Sequence, residues 1–169
     1  HELHLATNPA ALTDIQRAGR FFYLQKNSFG GLILNQKFHY GVTHPSNYNP
    51  EHIPAMIERA HQRLQRVQVE SLPYQQILEK YDRTTPLSYL DPPYWERQLY
   101  KFNFTEADFI GMEQRLRSLK GKFILSLDDH PRVREVFQTF HIDRTEIAYT
   151  AQQKVGKRFG ELLITNFDP

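Results

Sequence analysis

Asp91-Pro92-Pro93-Tyr94 is the stretch of this sequence best equipped for chemistry. A carboxylate beside a proline carbonyl offers two acceptors, the set needed to take both hydrogens of an exocyclic amino group on a nucleobase. Such a nitrogen is a poor nucleophile because its lone pair is delocalised into the ring. Drawing its hydrogens onto Asp91 and the Pro92 carbonyl localises that pair and aims it at a methyl donor. Pro92 and Pro93 stiffen the backbone that carries these oxygens and bring no amide hydrogen to compete for them. Tyr94 adds a flat face on which a base can stack, worth ~1–3 kcal/mol on the scale of base–aromatic stacking. That offsets part of the few kcal/mol needed to flip a base out of a duplex. A plain turn would also use Pro-Pro to end a strand, so position has to decide between the two readings.

The element ahead of the motif supplies that position. Pro86-Leu-Ser-Tyr-Leu90 reads as a buried strand, which puts Asp91 at the carboxyl edge of an α/β sheet, where such sheets place their ligands. Upstream, Asn8-Pro9 opens a helix expected to reach about Lys26, with Leu12, Ile15, Gly19, Phe22 and Tyr23 on one stripe and Gly30-Gly31 beyond it. Leu32 to Asn49 mixes weak alternation with breakers and predicts a short hairpin plus loop. Asn49-Pro50 starts a helix to about Arg66, Val67 to Glu70 alternates like a strand, and Pro73 to Lys80 is helical. Downstream, Thr105 with Asp108 forms a capping box for a helix to about Leu119, and Gly121 stops it. Lys122 to Leu127 is a strand, and Asp129 with Pro131 caps a helix to about Thr139. Ile142 to Thr150 and Phe159 to Phe167 are strands with no helix between them, so they pair antiparallel, while the earlier strands alternate with helices and lie parallel.

On these residues the chain resembles the Dam-like class of adenine-specific DNA methyltransferases. Asp91–Tyr94 is the anchor. Phe21-Phe-Tyr-Leu-Gln-Lys-Asn-Ser-Phe-Gly-Gly-Leu32 is similar to the family's aromatic helix and Gly-containing turn before its target-recognition segment. Phe123-Ile-Leu-Ser-Leu-Asp-Asp129 resembles the strand after the catalytic loop, and Gly160-Glu-Leu-Leu-Ile-Thr-Asn166 the closing strand. The resemblance spans about residues 20–167, and the order of these segments carries as much weight as their content. It implies an α/β, Rossmann-like methyltransferase sheet with an antiparallel C-terminal hairpin, in which S-adenosylmethionine is the cofactor and double-stranded DNA the partner. Residues 1–50 would be a helical and hairpin target-recognition segment, and residues 51–169 the C-terminal part of the catalytic domain. Asp91, Pro92, Pro93 and Tyr94 would be catalytic, with Asp91 also on the cofactor side. Lys26, Asn27, Lys37 and His39 fall where the family places DNA-contacting loops, and Lys154, Lys157 and Arg158 on the final turn would add phosphate contacts.

One departure stands out. The family's Gly-rich cofactor loop follows a first strand, and no such strand precedes Pro9 here. Phe29-Gly30-Gly31 follows a helix, the wrong context for a nucleotide-binding turn. The chain, which opens on His1, therefore reads as the C-terminal portion of a longer enzyme, its N-terminal strands missing. Adenine in ribosomal RNA, the cytosine amino group, and a catalytically inert DNA-binding fragment are the alternatives. Trp95, Tyr100, Phe102 and Phe104 would form either a lid or part of the core.

Composition narrows the field around this reading. The 169 residues carry 21 Lys+Arg against 19 Asp+Glu and no cysteine, which excludes a disulfide scaffold, thiolate metal sites and cysteine nucleophiles. No run approaches the ~20 apolar residues needed to span a bilayer, and no leader pattern opens the chain, so the sequence reads as cytosolic. The eight His residues lack metal-ligand spacing. Asp128-Asp129 resembles paired carboxylates, but a helix cap is the simpler account.

Overall fold

A computed structural model describes residues 2–28, 48–95, 102–148 and 158–168. The chain divides into two compact units, His1–Glu70 and Ser71–Pro169.

The first unit is helical. Helix α1 spans Glu2–Ala6, α2 Asp14–Asn27 and α3 Ile53–Leu64. Asn8 does cap a start at Pro9, its Oδ1 accepting from the Ala10 amide at 3.1 Å, but only a 3-10 turn, Pro9–Ala11, results. Leu12 is extended, and Thr13 begins α2 afresh with a capping box in which Gln16 reaches back to the Thr13 amide at 2.9 Å. The expected single helix from Pro9 is thus broken, because a reciprocal cap satisfies two free amides where Asn8 satisfies one. The expected stripe shifts too: Leu24 and Asn27 are buried, whereas Ile15 is 86 % exposed. Arg20 ties α1 to α2, its Nε donating to the His4 carbonyl at 2.6 Å. The Asn49-Pro50 start gives a 3-10 turn, Pro50–His52, that runs into α3, where Pro54 sits in the first turn and costs no helical hydrogen bond. Val67 to Glu70 forms no strand. Val67 and Val69 are exposed, and a short alternating run needs a neighbouring strand to pair with. The hairpin expected over Leu32 to Asn49 lies almost entirely outside the described residues.

The second unit is a four-stranded sheet with helices: α4 Tyr74–Tyr81, β1 Leu87–Leu90, α5 Glu106–Arg117, β2 Lys122–Asp128, α6 Pro131–Val136, β3 His141–Ala148 and β4 Arg158–Thr165. The order is β1-β2-β4-β3. Strands β1 and β2 are parallel, with α5 between them in the chain, and β4 runs antiparallel to both β2 and β3. The last strand in sequence thereby lies inside the sheet. Strand β2 is flanked on both sides, and Phe123, Leu125 and Leu127 are fully buried with Leu162 and Ile164 of β4. Helix α5 adds Phe109, Met112 and Leu116 at helical spacing, and α6 adds Val133.

Two local expectations are corrected. Strand β1 is an edge among the described strands, with Leu87 and Tyr89 exposed and Leu90 buried, so it is not the buried strand its apolar run predicts. Helix α6 is capped by His130, whose Nδ1 accepts from the Arg132 amide at 3.2 Å, and ends at Val136. Asp129 is engaged instead by Arg134 at 2.7 Å and Arg144 at 3.0 Å. Among the described residues no helix is long and apolar enough to cross a membrane, and no group of His, Asp and Glu could hold a metal ion.

Candidate active site

Asp91–Tyr94 leaves the carboxyl end of β1 without regular structure, next to the carboxyl end of parallel β2. Proline ends β1 at Leu90, opposite Leu125, while β2 runs on to Asp128 beside the loop. Side chains from β2 and β4 meet this loop. The Ser126 hydroxyl of β2 accepts from the Tyr89 hydroxyl at 3.0 Å and donates to Asp91 Oδ1 at 3.3 Å. Asp91 itself is exposed, and an acceptor oxygen there is accessible to a ligand. Asp128, the last residue of β2, accepts the Trp95 backbone amide on Oδ1 at 3.0 Å. The Tyr94 hydroxyl donates to Glu161 Oε2 at 3.1 Å.

The register explains why these groups meet. Asp128 of β2 is the partner of Glu161 on β4, and Glu161 in turn partners Thr145 on β3. Glu161 is buried, and burial pushes its carboxyl above the usual carboxylate range; the charges of Asp91 and Asp128 push the same way, while the Tyr94 hydroxyl pulls it back. Trp95 is buried against Phe109, with ring centroids 4.7 Å apart, and stacks on the His130 ring at 5.7 Å. Trp95 is therefore core, as is much of Phe104, which packs on Phe109 and Tyr74; Phe102 is exposed. Tyr100 lies outside the described residues.

A cavity of about 470 Å³ borders the loop. Asp91, Pro92 and Pro93 form part of its wall, and Leu72, Ile77, Leu78, Phe104 and Met112 make much of the remainder apolar. Such a space suits a planar, largely apolar group, with one carboxylate to meet a polar or cationic one.

The structure brings Asp91, Pro92, Pro93 and Tyr94 together with Ser126, Asp128 and Glu161. Of the other predicted residues, Lys26 and Asn27 lie in the last turn of α2, in the first unit. Lys26 Nζ sits 5.8 Å from the Phe22 ring centroid, and Asn27 is buried, donating to the Tyr23 carbonyl at 2.9 Å. The Arg158 backbone opens β4 opposite Ala148. Lys37, His39, Lys154 and Lys157 lie outside the described residues. Sequence reasoning missed Ser126, Asp128 and Glu161 as partners of the loop. The available signal was a polar or charged residue inside otherwise apolar strands, Phe-Ile-Leu-Ser-Leu-Asp and Glu-Leu-Leu-Ile.

No curated protein matches the chain. The sequence model of one family, the D12 class N6 adenine-specific DNA methyltransferase, matches residues 2–151.

Proposed function

The chain belongs to the D12 class N6 adenine-specific DNA methyltransferase family, and on that premise we propose that Asp91–Tyr94 is where the target adenine, flipped out of duplex DNA, receives its methyl group. The observation that carries this is the placement of Asp91 and Pro92 at the carboxyl end of β1, on the wall of the apolar cavity, in a loop whose Tyr94 bonds Glu161 of β4 and whose following Trp95 amide bonds Asp128 at the end of β2. Asp91 and the Pro92 carbonyl accept the two amino hydrogens and hold the nitrogen lone pair toward the donor. Ser126, by donating to Asp91, fixes one carboxylate oxygen and leaves the other for the base. Pro93 restricts the backbone, and Tyr94 is the stacking platform.

The residues present fit S-adenosylmethionine: an apolar cavity for its adenine ring and the Asp91 carboxylate for its cationic end. When bound, that cofactor supplies the electrophilic methyl group. Among the described residues β1 pairs on one side only, with β2, which is compatible with a Rossmann-like sheet in which a further strand pairs with β1. Lys26, Lys37, His39, Lys154, Lys157 and Arg158 are proposed as DNA contacts on phosphates; Asn27, buried with its amide on the Tyr23 carbonyl, is withdrawn from that set.

The test is Asp91→Ala. Its circular dichroism should match the parent, because Asp91 is exposed, while transfer of labelled methyl groups to unmethylated duplex DNA should disappear. An active Asp91→Ala protein would remove the assignment, and methylation of structured RNA in preference to the duplex would redirect it.

A further inference from the structure

Glu161 is a buried carboxylate that the proposed chemistry does not use. It lies on β4, far from Asp91–Tyr94 in sequence, yet its Oε2 receives the Tyr94 hydroxyl at 3.1 Å. Side chains alternate along β4, so the buried apolar Leu162 and Ile164 lie on the opposite face, and Glu161 shares its own face with Leu163 and the buried Thr165. A carboxylate buried beside Asp91 and Asp128 is an expensive choice for the fold, since each like charge opposes ionisation and an apolar side chain would fill the space at lower cost. Its bond to the loop explains the expense. A tyrosine on a loop is free to swing about two side-chain torsions, and a bond at the hydroxyl, the point of the ring farthest from the backbone, restrains both. Pro92 and Pro93 stiffen the loop on one side of Tyr94, and the Trp95 amide on Asp128 pins it on the other.

We infer that Glu161 is a positioning residue for methyl transfer: it holds the Tyr94 ring in place through the hydroxyl, so that the platform for the flipped adenine is set before the base arrives. The inference rests on the reading of Tyr94 as that platform. It predicts an effect on the chemical step with little on DNA affinity, which phosphate contacts dominate.

The experiment compares Glu161→Gln, Glu161→Leu, Tyr94→Phe and the Glu161→Leu/Tyr94→Phe double variant. One readout is the ring carbon spectrum of protein labelled with 13C-tyrosine, in which the signal missing from Tyr94→Phe identifies Tyr94. The other is methyl transfer from S-adenosylmethionine to genomic DNA lacking adenine methylation, resolved into kcat and the half-saturating DNA concentration. Gln keeps an acceptor of the same size, so Glu161→Gln should retain the Tyr94 signal and a kcat within about twofold of the parent. Glu161→Leu should shift the signal and lower kcat on the order of tenfold or more, since misplacement by about 1 Å can cost up to ~100-fold. In the Tyr94→Phe background Glu161→Leu should cost nothing further, the signature of action through the hydroxyl. If Leu does not fold, Glu161→Met takes its place. A folded apolar variant with an unmoved Tyr94 signal, or with kcat equal to that of Glu161→Gln, overturns the inference, as do losses that multiply in the double variant. A parent protein whose activity survives Tyr94→Ala would instead overturn the platform reading itself, and this role with it.

Discussion

Glu161 and Asp129 sit close together in the sheet, and their titrations act on the fold with opposite signs. Burial first, then Asp91 and Asp128, raise the Glu161 carboxyl above its ordinary 4.5. The folded chain therefore holds that proton more tightly than the unfolded one, so the stability it contributes is present below pH 4.5 and is lost as pH rises through the raised value. The Asp129 carboxyl is lowered from 3.8, chiefly by the Arg134 hydrogen bond, with Arg144 adding; its contribution is present above pH 3.8 and lost as pH falls through the lowered value. Glu161→Gln removes the first effect and keeps the second. Melting curves of the parent and Glu161→Gln should therefore diverge in favour of the variant as pH is raised from about 4.5 to neutrality. A gap that does not grow over that range would mean that Glu161 is as well solvated folded as unfolded. Asp91 and Tyr94 stand out in the sequence as candidates because the proposed chemistry needs only adjacent residues. Glu161 was not, because a single acid in a strand looks the same whether it faces water or a tyrosine.

Elements were legible where a reciprocal cap, a continuous apolar run or a short connection specified them. The Thr105 capping box begins α5, its Oγ accepting from the Asp108 amide at 3.4 Å while Asp108 Oδ2 accepts the Thr105 amide at 2.8 Å. The apolar run from Phe123 makes β2, and a connection too short for a crossover makes β3 and β4 antiparallel. Elements failed where the outcome depended on a neighbour. Val67 to Glu70 found no strand to join, and the apolar run of β1 turned out to be an edge. Two glycines show the same division within the second unit. Gly111 lies inside α5, where an added Cβ meets open space, so Gly111→Ala should stabilise by about 0.5–1 kcal/mol through helix propensity. Gly121 precedes β2, where a Cβ would lie 2.6 Å from the Arg83 carbonyl oxygen and 3.0 Å from that of Pro86, both backbone. Gly121→Ala should therefore destabilise by ~1–3 kcal/mol. Urea midpoints should move in opposite directions for the two variants, and a shared direction would contradict this account of the Gly121 junction. The sequence reading carries the helix through Gly111 and stops it at Gly121, but only packing shows what a side chain would meet at each.

For the molecule as a whole, the slight excess of basic residues bears on partners, not on folding. If Lys154 and Lys157 touch DNA phosphates, replacing each by Ala should make the slope of log affinity against log salt shallower by ~0.9 for every phosphate no longer neutralised. Binding to duplex DNA titrated at several salt concentrations measures this, and an unchanged slope removes both from the interface. The sequence by itself determined the Asp91–Tyr94 turn after β1, the α/β alternation, the capping of α5 and the antiparallel closing pair, because each is dictated by interactions within a few residues or by the length of one connection. Only the tertiary structure decided that β4 enters between β2 and β3. That insertion sets Glu161 opposite Asp128 and within reach of Tyr94, a pairing across 67 residues of chain. Strand order is settled by which apolar faces can be buried together, a balance summed over the whole core, and no local pattern in the sequence records it.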